Sequence, residues 1–190
     1  MMSVPSVEPR LGDVMYDRSV IASRVADLGE QIAANHANTV PVLVSVLKGA
    51  TIFLADLSRA ISVQHEIDFL ALSSYSGDGT AGQARILNDL TTSIAGRHVI
   101  LVEDVVDTGL TLGFLLKWLR VREPASIEVC TLLDRPHRRL LDEPLAYRGF
   151  TVPDTFLVGY GFDYRQRYRN LPDMHELELD PVVVDQLLEA

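Results

Sequence analysis

The sequence predicts an α/β fold whose central sheet is mostly parallel. Four short apolar runs have the length and composition of buried strands, and segments of helical length and spacing lie before or between them. Strands that alternate with helices favour a parallel sheet, in which ligands bind beyond the carboxyl ends of the strands. The loops that follow the runs are therefore expected to open on one edge of the sheet. The runs are residues 41–46, 66–72, 98–102 and 126–133.

The three expected helices follow from apolar residues at helical spacing. The first is predicted over 18–35, the second over 51–61 and the third, which has almost no polar face, over 110–121. Each should pack its apolar side on the sheet. The residues expected to face inward are Ile21, Val25, Leu28 and Ile32 in the first helix, and Phe53, Leu54, Leu57 and Ile61 in the second.

Three further segments lack the composition of a core element. Residues 1–16 contain prolines and no periodicity, which indicates an N-terminal arm. Residues from about 73 to 85 are rich in Gly and Ser, so we expect a mobile loop that acts as a lid over a site. The tail contains a predicted strand at 155–158, a Gly-Tyr-Gly turn and a short last helix that Asp180 and Pro181 would begin.

Length, composition and charge predict a single globular domain over residues 1–190, with 47% hydrophobic residues. The net charge of −9 argues against nucleic acid as a partner, so the basic tract at 165–169 is better suited to a phosphate ligand or a subunit contact. The sequence shows neither a signal peptide nor an apolar run of the roughly 20 residues that span a bilayer, which predicts a cytoplasmic protein. The single cysteine, Cys130, lies in an apolar run and is expected to be a buried thiol.

Residues 103–111 are the most informative stretch, because three carboxylates and a Thr-Gly-x-Thr turn lie between an apolar strand and an apolar helix. The free N–H groups of a helix N-terminus attract a phosphate, Thr108 and Thr111 add hydroxyl donors, and Gly109 allows the backbone to approach an anion. Glu103 and Asp104 would repel a bare phosphate but suit ribose hydroxyls or Mg²⁺. The expected ligand therefore carries phosphate and ribose and binds with Mg²⁺.

This stretch resembles the phosphoribosyl pyrophosphate (PRPP) loop of the type I phosphoribosyltransferases, where two acids follow an apolar strand and D-T-G-x-T follows the acids. Further matches extend from about residue 40 to residue 172 and resemble the 6-oxopurine branch, the hypoxanthine-guanine phosphoribosyltransferases. The resemblance implies the type I fold: a mostly parallel five-stranded sheet flanked by helices, with a small hood from the termini that includes about residues 150–190. It also implies transfer of the phosphoribosyl group of PRPP to N9 of hypoxanthine and guanine, with Mg²⁺, in a homodimer or homotetramer.

The resemblance assigns roles to the residues around PRPP. Lys48 and Gly49 match the pyrophosphate loop, in which the peptide before the lysine is often cis, and Ser74 and Tyr75 match the lid motif. Asp107 matches the carboxylate that accepts a proton at purine N7, although capping of the following helix is an alternative role for it. The residues expected to bind PRPP are Lys48, Gly49, Glu103, Asp104, Asp107, Thr108, Gly109, Leu110, Thr111 and Arg169.

The purine is expected to bind near the last strands. Phe156 resembles the aromatic residue that stacks on the base, and the Leu157 backbone would pair with the purine edge. Asp163 resembles the acid that joins Glu103 and Asp104 near Mg²⁺. Arg135 departs from the family pattern, which has a lysine that donates to the purine 6-oxo group; a planar guanidinium could reach two acceptors and so leaves the preference among hypoxanthine, guanine and xanthine open.

Two alternatives share this fold. One is a xanthine-preferring phosphoribosyltransferase, since xanthine presents the same 6-oxo group and N7. The other is a regulator that binds PRPP or RNA without turnover. Asp107 and the purine-type C-terminal residues count against the regulator.

Overall fold

The computed structural model describes residues 9–74 and 84–179. Two sheets and three α-helices make up this part of the chain. In chain order the elements are β1 (Arg10–Tyr16), α1 (Arg18–Asn35), β2 (Val42–Leu47), α2 (Thr51–Ala60), β3 (Glu66–Ser74), β4 (Ala84–Asn88), β5 (His98–Val106), α3 (Leu110–Arg120), β6 (Ser126–Asp134), a 3₁₀ turn (Pro136–Arg138), β7 (Tyr147–Thr151), β8 (Leu157–Val158) and β9 (Met174–Glu178).

The main sheet has six strands in the order β4-β3-β2-β5-β6-β7. Five of them are parallel, and β4 pairs antiparallel with β3 at one edge. The mostly parallel α/β sheet expected from the sequence is confirmed, and its five parallel strands are joined by the additional β4. The predicted strand at 155–158 does not belong to this sheet; its last two residues form β8 in the second sheet.

The helices cover both faces of the main sheet. α1 has the predicted bounds and begins at Asp17, whose side chain accepts hydrogen bonds from the backbone N–H groups of Ser19 and Val20. α1 and α2 pack in one apolar cluster with alternate residues of the strands, and α3 packs in a second cluster with the intervening residues. All eight residues predicted to face inward on the first two helices are buried, although α2 ends at Ala60 and Ile61 directly follows it.

The contact between α1 and α2 is close because Gly29 has no side chain. A Cβ at Gly29 would lie 2.7 Å from the backbone carbonyl atoms of Ala60. Cys130 lies in the α1/α2 cluster and is fully buried, as expected, and burial raises the pKa of its thiol. Within residues 9–74 and 84–179, no helix is both long and apolar enough to cross a membrane.

The second sheet, in the order β1-β9-β8, forms a hood beside the carboxyl ends of the main strands. The N-terminal arm predicted over residues 1–16 includes a strand that was not expected, Arg10–Tyr16, which pairs antiparallel with β9. The pairing register shifts twice within β1, between Leu11 and Val14 and again before Tyr16. Such bulges break the alternation of side chains, so this strand carries no periodic signal in the sequence. The last helix predicted from Asp180 lies outside the described residues.

Candidate active site

Two adjoining cavities lie at the carboxyl edge of the main sheet. The larger, of about 310 Å³, is lined by the ends of β2 and β5 and the turn into α3, from Glu103 to Gly109 with Thr111. The smaller, of about 180 Å³, is lined by Leu133 and the side chains Arg135, Phe156, Leu157, Phe162, Asp163 and Arg169. Asp104 and Val105 line both. Of the residues predicted for PRPP, Gly49 and those from Glu103 to Thr111 except Leu110 line the larger cavity. Arg169 lines the smaller cavity with the residues predicted for the purine, and Lys48 and Leu110 line neither.

The turn before α3 presents a helix N-terminus to the larger cavity. Gly109 has φ +81°, and a Cβ there would lie 2.5 Å from the carbonyl oxygen of Leu141, so the position requires glycine. The backbone N–H groups of Leu140 and Leu141 both donate to the Thr108 carbonyl and fix the turn. Among the described residues, the side chain that accepts from the start of α3 is Thr108, whose Oγ1 accepts from the Leu110 N–H at 3.4 Å, so Asp107 does not have the alternative capping role. The Leu110 N–H makes only this long bond, and the N–H groups that follow it in the first turn remain available to an anion.

Glu103 and Asp104 are the last acidic residues of a strand that is longer than predicted, because β5 continues to Val106. Glu103 is only 8% exposed, and its Oε1 has no hydrogen-bond partner among the described residues. Burial raises the pKa of Glu103 well above its ordinary value, and the negative charge of Asp104 raises it further. Burial also raises the pKa of Asp104, against the hydrogen bond that its Oδ1 accepts from the Val105 N–H at 2.8 Å. Both acids thus occupy positions that favour a cation or a hydroxyl donor beside them.

The loop after β2 lies against these acids. The Leu47-Lys48 peptide is cis, which confirms the expectation from the resemblance. A Cβ at Gly49 would overlap Oδ2 of Asp104, so glycine at this position makes room for the carboxylate. Lys48 is exposed, and its Nζ donates to Gln166 Oε1 at 3.4 Å.

Asp163 and Arg169 form a second charged group at the mouth of the smaller cavity. Arg169 Nη2 lies 2.5 Å from Asp163 Oδ1, and Arg169 Nη1 donates to the Gly161 carbonyl at 2.7 Å. The Gln166 N–H donates to Asp163 Oδ2 at 2.7 Å. The charges of Arg169 and Asp163 both act on the Asp104 carboxyl, with opposite effects on its pKa.

Two arginines contact Asp107. Arg138 Nε lies 3.1 Å from Asp107 Oδ1, and Arg135 Nη1 lies 3.7 Å from Asp107 Oδ2. The Arg138 contact is an ion pair without hydrogen-bond alignment, because Oδ1 has no hydrogen-bond donor among the described residues. Arg135 also donates to the Thr155 carbonyl, and burial lowers the pKa of its guanidinium.

The sequence alone predicts no role for Arg138. It bridges Asp107 and Asp154, since its Nη1 lies 3.3 Å from Asp154 Oδ1. The only available signal was the density of arginines at 135–139, directly after a strand that ends at the site edge. Val105 and Phe162, which line the smaller cavity, gave no signal because apolar residues in strands and turns usually belong to the core.

The remaining predicted residues have these positions. Phe156 is half-buried and meets the Tyr164 ring edge to face, with ring centroids 6.0 Å apart. Ser74 is the last residue of β3, so the expected lid over 73–85 begins and ends in strands. Tyr75 and the rest of that segment up to residue 83 lie outside the described residues.

Comparison with known proteins places this geometry among phosphoribosyltransferases. A family model described as "Phosphoribosyl transferase domain" matches residues 15–165. The chain is 47% identical to the hypoxanthine phosphoribosyltransferase of Salmonella typhimurium, over 84% of this chain and 92% of that protein. It is 45% identical to the hypoxanthine-guanine phosphoribosyltransferase of Mycobacterium avium, over 91% of this chain and 88% of the relative. A crystal structure of a hypoxanthine-guanine phosphoribosyltransferase from Bacillus anthracis superposes with a TM-score of 0.83 at 38% identity, covering 88% of this chain and 99% of that one.

Proposed function

Because this chain belongs to the phosphoribosyl transferase family and is similar over most of its length to hypoxanthine and hypoxanthine-guanine phosphoribosyltransferases, we propose that it joins hypoxanthine and guanine to PRPP, giving IMP or GMP and pyrophosphate. The observation that carries this proposal is the pair of cavities that share Asp104 and Val105. One offers a helix N-terminus and two acids to a sugar phosphate. The other offers an aromatic face and a guanidinium to a purine.

In the larger cavity, the 5′-phosphate of PRPP binds at the start of α3. Thr108, Gly109, Leu110 and Thr111 supply hydroxyl and backbone donors, and the positive end of the helix dipole adds to the attraction. Glu103 and Asp104 accept hydrogen bonds from the ribose hydroxyls. Burial raises the pKa of both acids in the free protein, because it disfavours their charged forms. Hydrogen bonds from the ribose hydroxyls stabilise those charged forms and so offset the effect of burial.

The same acids fit a magnesium ion. Within residues 9–74 and 84–179, no three His, Cys, Asp or Glu side chains form a closed metal cluster. Mg²⁺ nevertheless binds through one or two carboxylates together with substrate phosphates and water, and the partnerless Oε1 of buried Glu103 suits that arrangement. One or two of the predicted ligands Glu103, Asp104 and Asp163 would therefore hold the ion together with substrate phosphate and water, and the bound ion would neutralise charge on the pyrophosphate.

Pyrophosphate is bound by cationic residues from two segments. Lys48 and the backbone of Gly49 approach from the loop after β2, and Arg169 approaches from the hood. As the bond between C1′ and pyrophosphate breaks, negative charge grows on the leaving group, and fixed positive groups stabilise that state more than the bound substrate. The ribosyl group meanwhile acquires oxocarbenium character, so water must be kept out; we assign this role to the Ser74-Tyr75 lid.

The purine binds in the smaller cavity between Phe156, the Leu157 backbone and Arg135. Arg135 donates to the 6-oxo group. As N9 attacks C1′ with inversion, the ring becomes more acidic and Asp107 accepts a proton at N7. Oδ1 of Asp107 is buried beside Arg138, whereas the side chain as a whole is 32% exposed, so Oδ2 is the oxygen that would accept the proton.

The compartment and the oligomeric state of the protein are also proposals. We expect the single domain over 1–190 to act in the cytoplasm as a homodimer or homotetramer, without nucleic acid as a partner. The similarity to purine phosphoribosyltransferases supports this expectation. Light scattering coupled to size-exclusion chromatography measures the subunit number, and a monomer would contradict the expected assembly.

The test is steady-state turnover with PRPP and Mg²⁺ against hypoxanthine, guanine, xanthine and adenine. The 6-oxopurines hypoxanthine and guanine should react and adenine should not. Asp107→Asn should lower kcat by about 100-fold or more, the usual contribution of a general base. Asp154→Asn is the matched control, because it removes another carboxylate of Arg138 outside the cavities, and it should retain kcat within a few-fold. Absence of turnover with every base would overturn the proposal.

A further inference from the structure

The two segments proposed to bind pyrophosphate meet directly. The turn 159–162, between β8 and the Asp163–Arg169 segment, places Gly161 against the carbonyl oxygen of Gly49, and a Cβ at Gly161 would overlap that oxygen. The Gly159 N–H donates to the Phe162 carbonyl at 3.1 Å, and the Phe162 N–H donates back at 3.0 Å. The turn is therefore tightly closed on itself as well as packed on the pyrophosphate loop.

Tyr160, in the middle of this turn, has an unusual backbone. Its φ is +49°, a left-handed conformation that favours glycine and costs a side-chain-bearing residue about 1 kcal/mol or more. A tyrosine at such a position needs compensating interactions. Its side chain supplies one: it is only 7% exposed, and the hydroxyl donates to Asp56 Oδ2 at 2.6 Å.

Asp56 lies in α2, the helix that follows the Lys48-Gly49 loop without a break. The Tyr160 hydroxyl therefore ties the hood turn to the body of the protein beside the pyrophosphate loop. On the hood side, the Gly161 N–H donates to the Arg169 carbonyl and Arg169 Nη1 donates to the Gly161 carbonyl. A shift of Tyr160 is thereby transmitted to the guanidinium of Arg169.

We propose that Tyr160 and Asp56 are a positioning pair that sets the separation between Lys48-Gly49 on one side of the leaving group and Asp163-Arg169 on the other. This inference rests on the proposed function, because it concerns the same pyrophosphate. Neither residue lines either cavity. Their hydrogen bond holds the two binding segments in the arrangement that lets them contact pyrophosphate together, so its loss weakens binding of PRPP and pyrophosphate but not of the purine.

The experiment compares Tyr160→Phe with Tyr147→Phe. Tyr147 is the matched control: it is also buried and also donates to a carboxylate, Glu128 Oε2 at 2.9 Å, but it lies at the start of β7, an edge strand of the main sheet, and lines neither cavity. Both variants should have a lowered Tm. Only Tyr160→Phe should raise the KM for PRPP and the calorimetric Kd for pyrophosphate with Mg²⁺. The expected rise is about three- to tenfold, less than the full effect of a lost hydrogen bond to a charged acceptor, because this bond acts on pyrophosphate only by positioning other residues. The KM for hypoxanthine should stay within about twofold of wild type.

A double-mutant cycle makes the inference specific to the pair. Asp56→Ala should raise the Kd for pyrophosphate as Tyr160→Phe does. The Kd of the double variant should be no higher than that of the single variant with the higher Kd. Unchanged pyrophosphate binding in Tyr160→Phe, or equal changes in Tyr160→Phe and Tyr147→Phe, would overturn the positioning role. Wild-type protein that binds pyrophosphate but converts no purine would overturn the proposed function alone, because the binding comparison can still be made.

Discussion

Replacement of Gly49 by alanine tests how closely the pyrophosphate loop and the ribose-binding acids are fitted. A methyl group at this position would overlap Asp104 Oδ2 and lie 2.7 Å from Asp104 Cγ, closer than any ordinary contact. The atom in the way belongs to a side chain, so the carboxylate can rotate away while the backbone stays in place. Rotation would break the hydrogen bond from the Val105 N–H to Asp104 Oδ1 and remove the carboxylate from the cavity it lines.

The cost should fall on ligand binding and hardly on folding. A hydrogen bond to a charged group contributes about 1.5–3 kcal/mol, so loss of the Asp104 contact to the ribose diol predicts PRPP binding weaker by about 10- to 150-fold. The Asp104 carboxyl is destabilised as an anion by burial in the free protein, which is why its pKa is raised. Its displacement toward solvent therefore relieves a penalty and offsets part of the steric strain in the folded state.

Calorimetric Kd values for PRPP, together with Tm, separate these effects. Gly29→Ala is the control, because its methyl group would meet the backbone of Ala60 at 2.7 Å, far from the cavities, and backbone cannot rotate away. Gly29→Ala should lower the Tm and leave the Kd for PRPP unchanged, whereas Gly49→Ala should do the reverse. An affinity of Gly49→Ala within twofold of wild type would refute the fitted arrangement of Gly49 and Asp104.

Three further predictions concern the other charged residues. The pKa of Glu103 is raised in the folded protein, so the free energy of unfolding falls as pH rises from the ordinary pKa of 4.5 through the raised value. Glu103→Gln should therefore raise the Tm at pH 8 but not at pH 4, and it should lower kcat/KM with Mg²⁺. A Tm at pH 8 equal to that of wild type would contradict this prediction. Arg138→Gln removes one of the two cations that orient Asp107 and should lower kcat about three- to tenfold, with little change in the KM for PRPP, in steady-state assays. In Arg135→Lys the guanidinium nitrogen that donates to the Thr155 carbonyl is lost, so the KM for hypoxanthine should rise about three- to tenfold while PRPP binding is retained. A lower KM would show that arginine at this position is a poorer purine ligand than lysine.

The sequence alone is enough to predict the strands that are buried on both faces and the helices that pack on them. β2, β5 and β6 each contain a predominantly apolar run, and α1 to α3 have apolar residues at helical spacing, so burial alone predicts them. β4 and β7 are edge strands with arginine, asparagine or glycine among few apolar residues, and they exist because a neighbouring strand offers hydrogen bonds. Such pairing depends on distant segments and leaves little local pattern.

The candidate site shows the same division. The types of residue in 103–111 indicate a sugar phosphate ligand because the chemistry is contained in one continuous turn. The contacts of Asp107 with Arg135 and Arg138, and that of Tyr160 with Asp56, join segments far apart in the chain. Their existence depends on side-chain positions that only the folded arrangement determines, so the sequence named Asp107 as a base without indicating what orients it.

The antiparallel pairing of β1 with β9 has a consequence for synthesis of the protein. Arg10 pairs with Glu178, and β8, whose Leu157 lines the smaller cavity, pairs with β9 in the same sheet. A ribosome must therefore translate past Glu178 before the first residues of the hood acquire a partner, although β2, β3, β5 and β6 can assemble earlier. A nascent chain would pass through a stage with a formed phosphate site and an open purine site, and would become competent for base recognition only in its last step of folding.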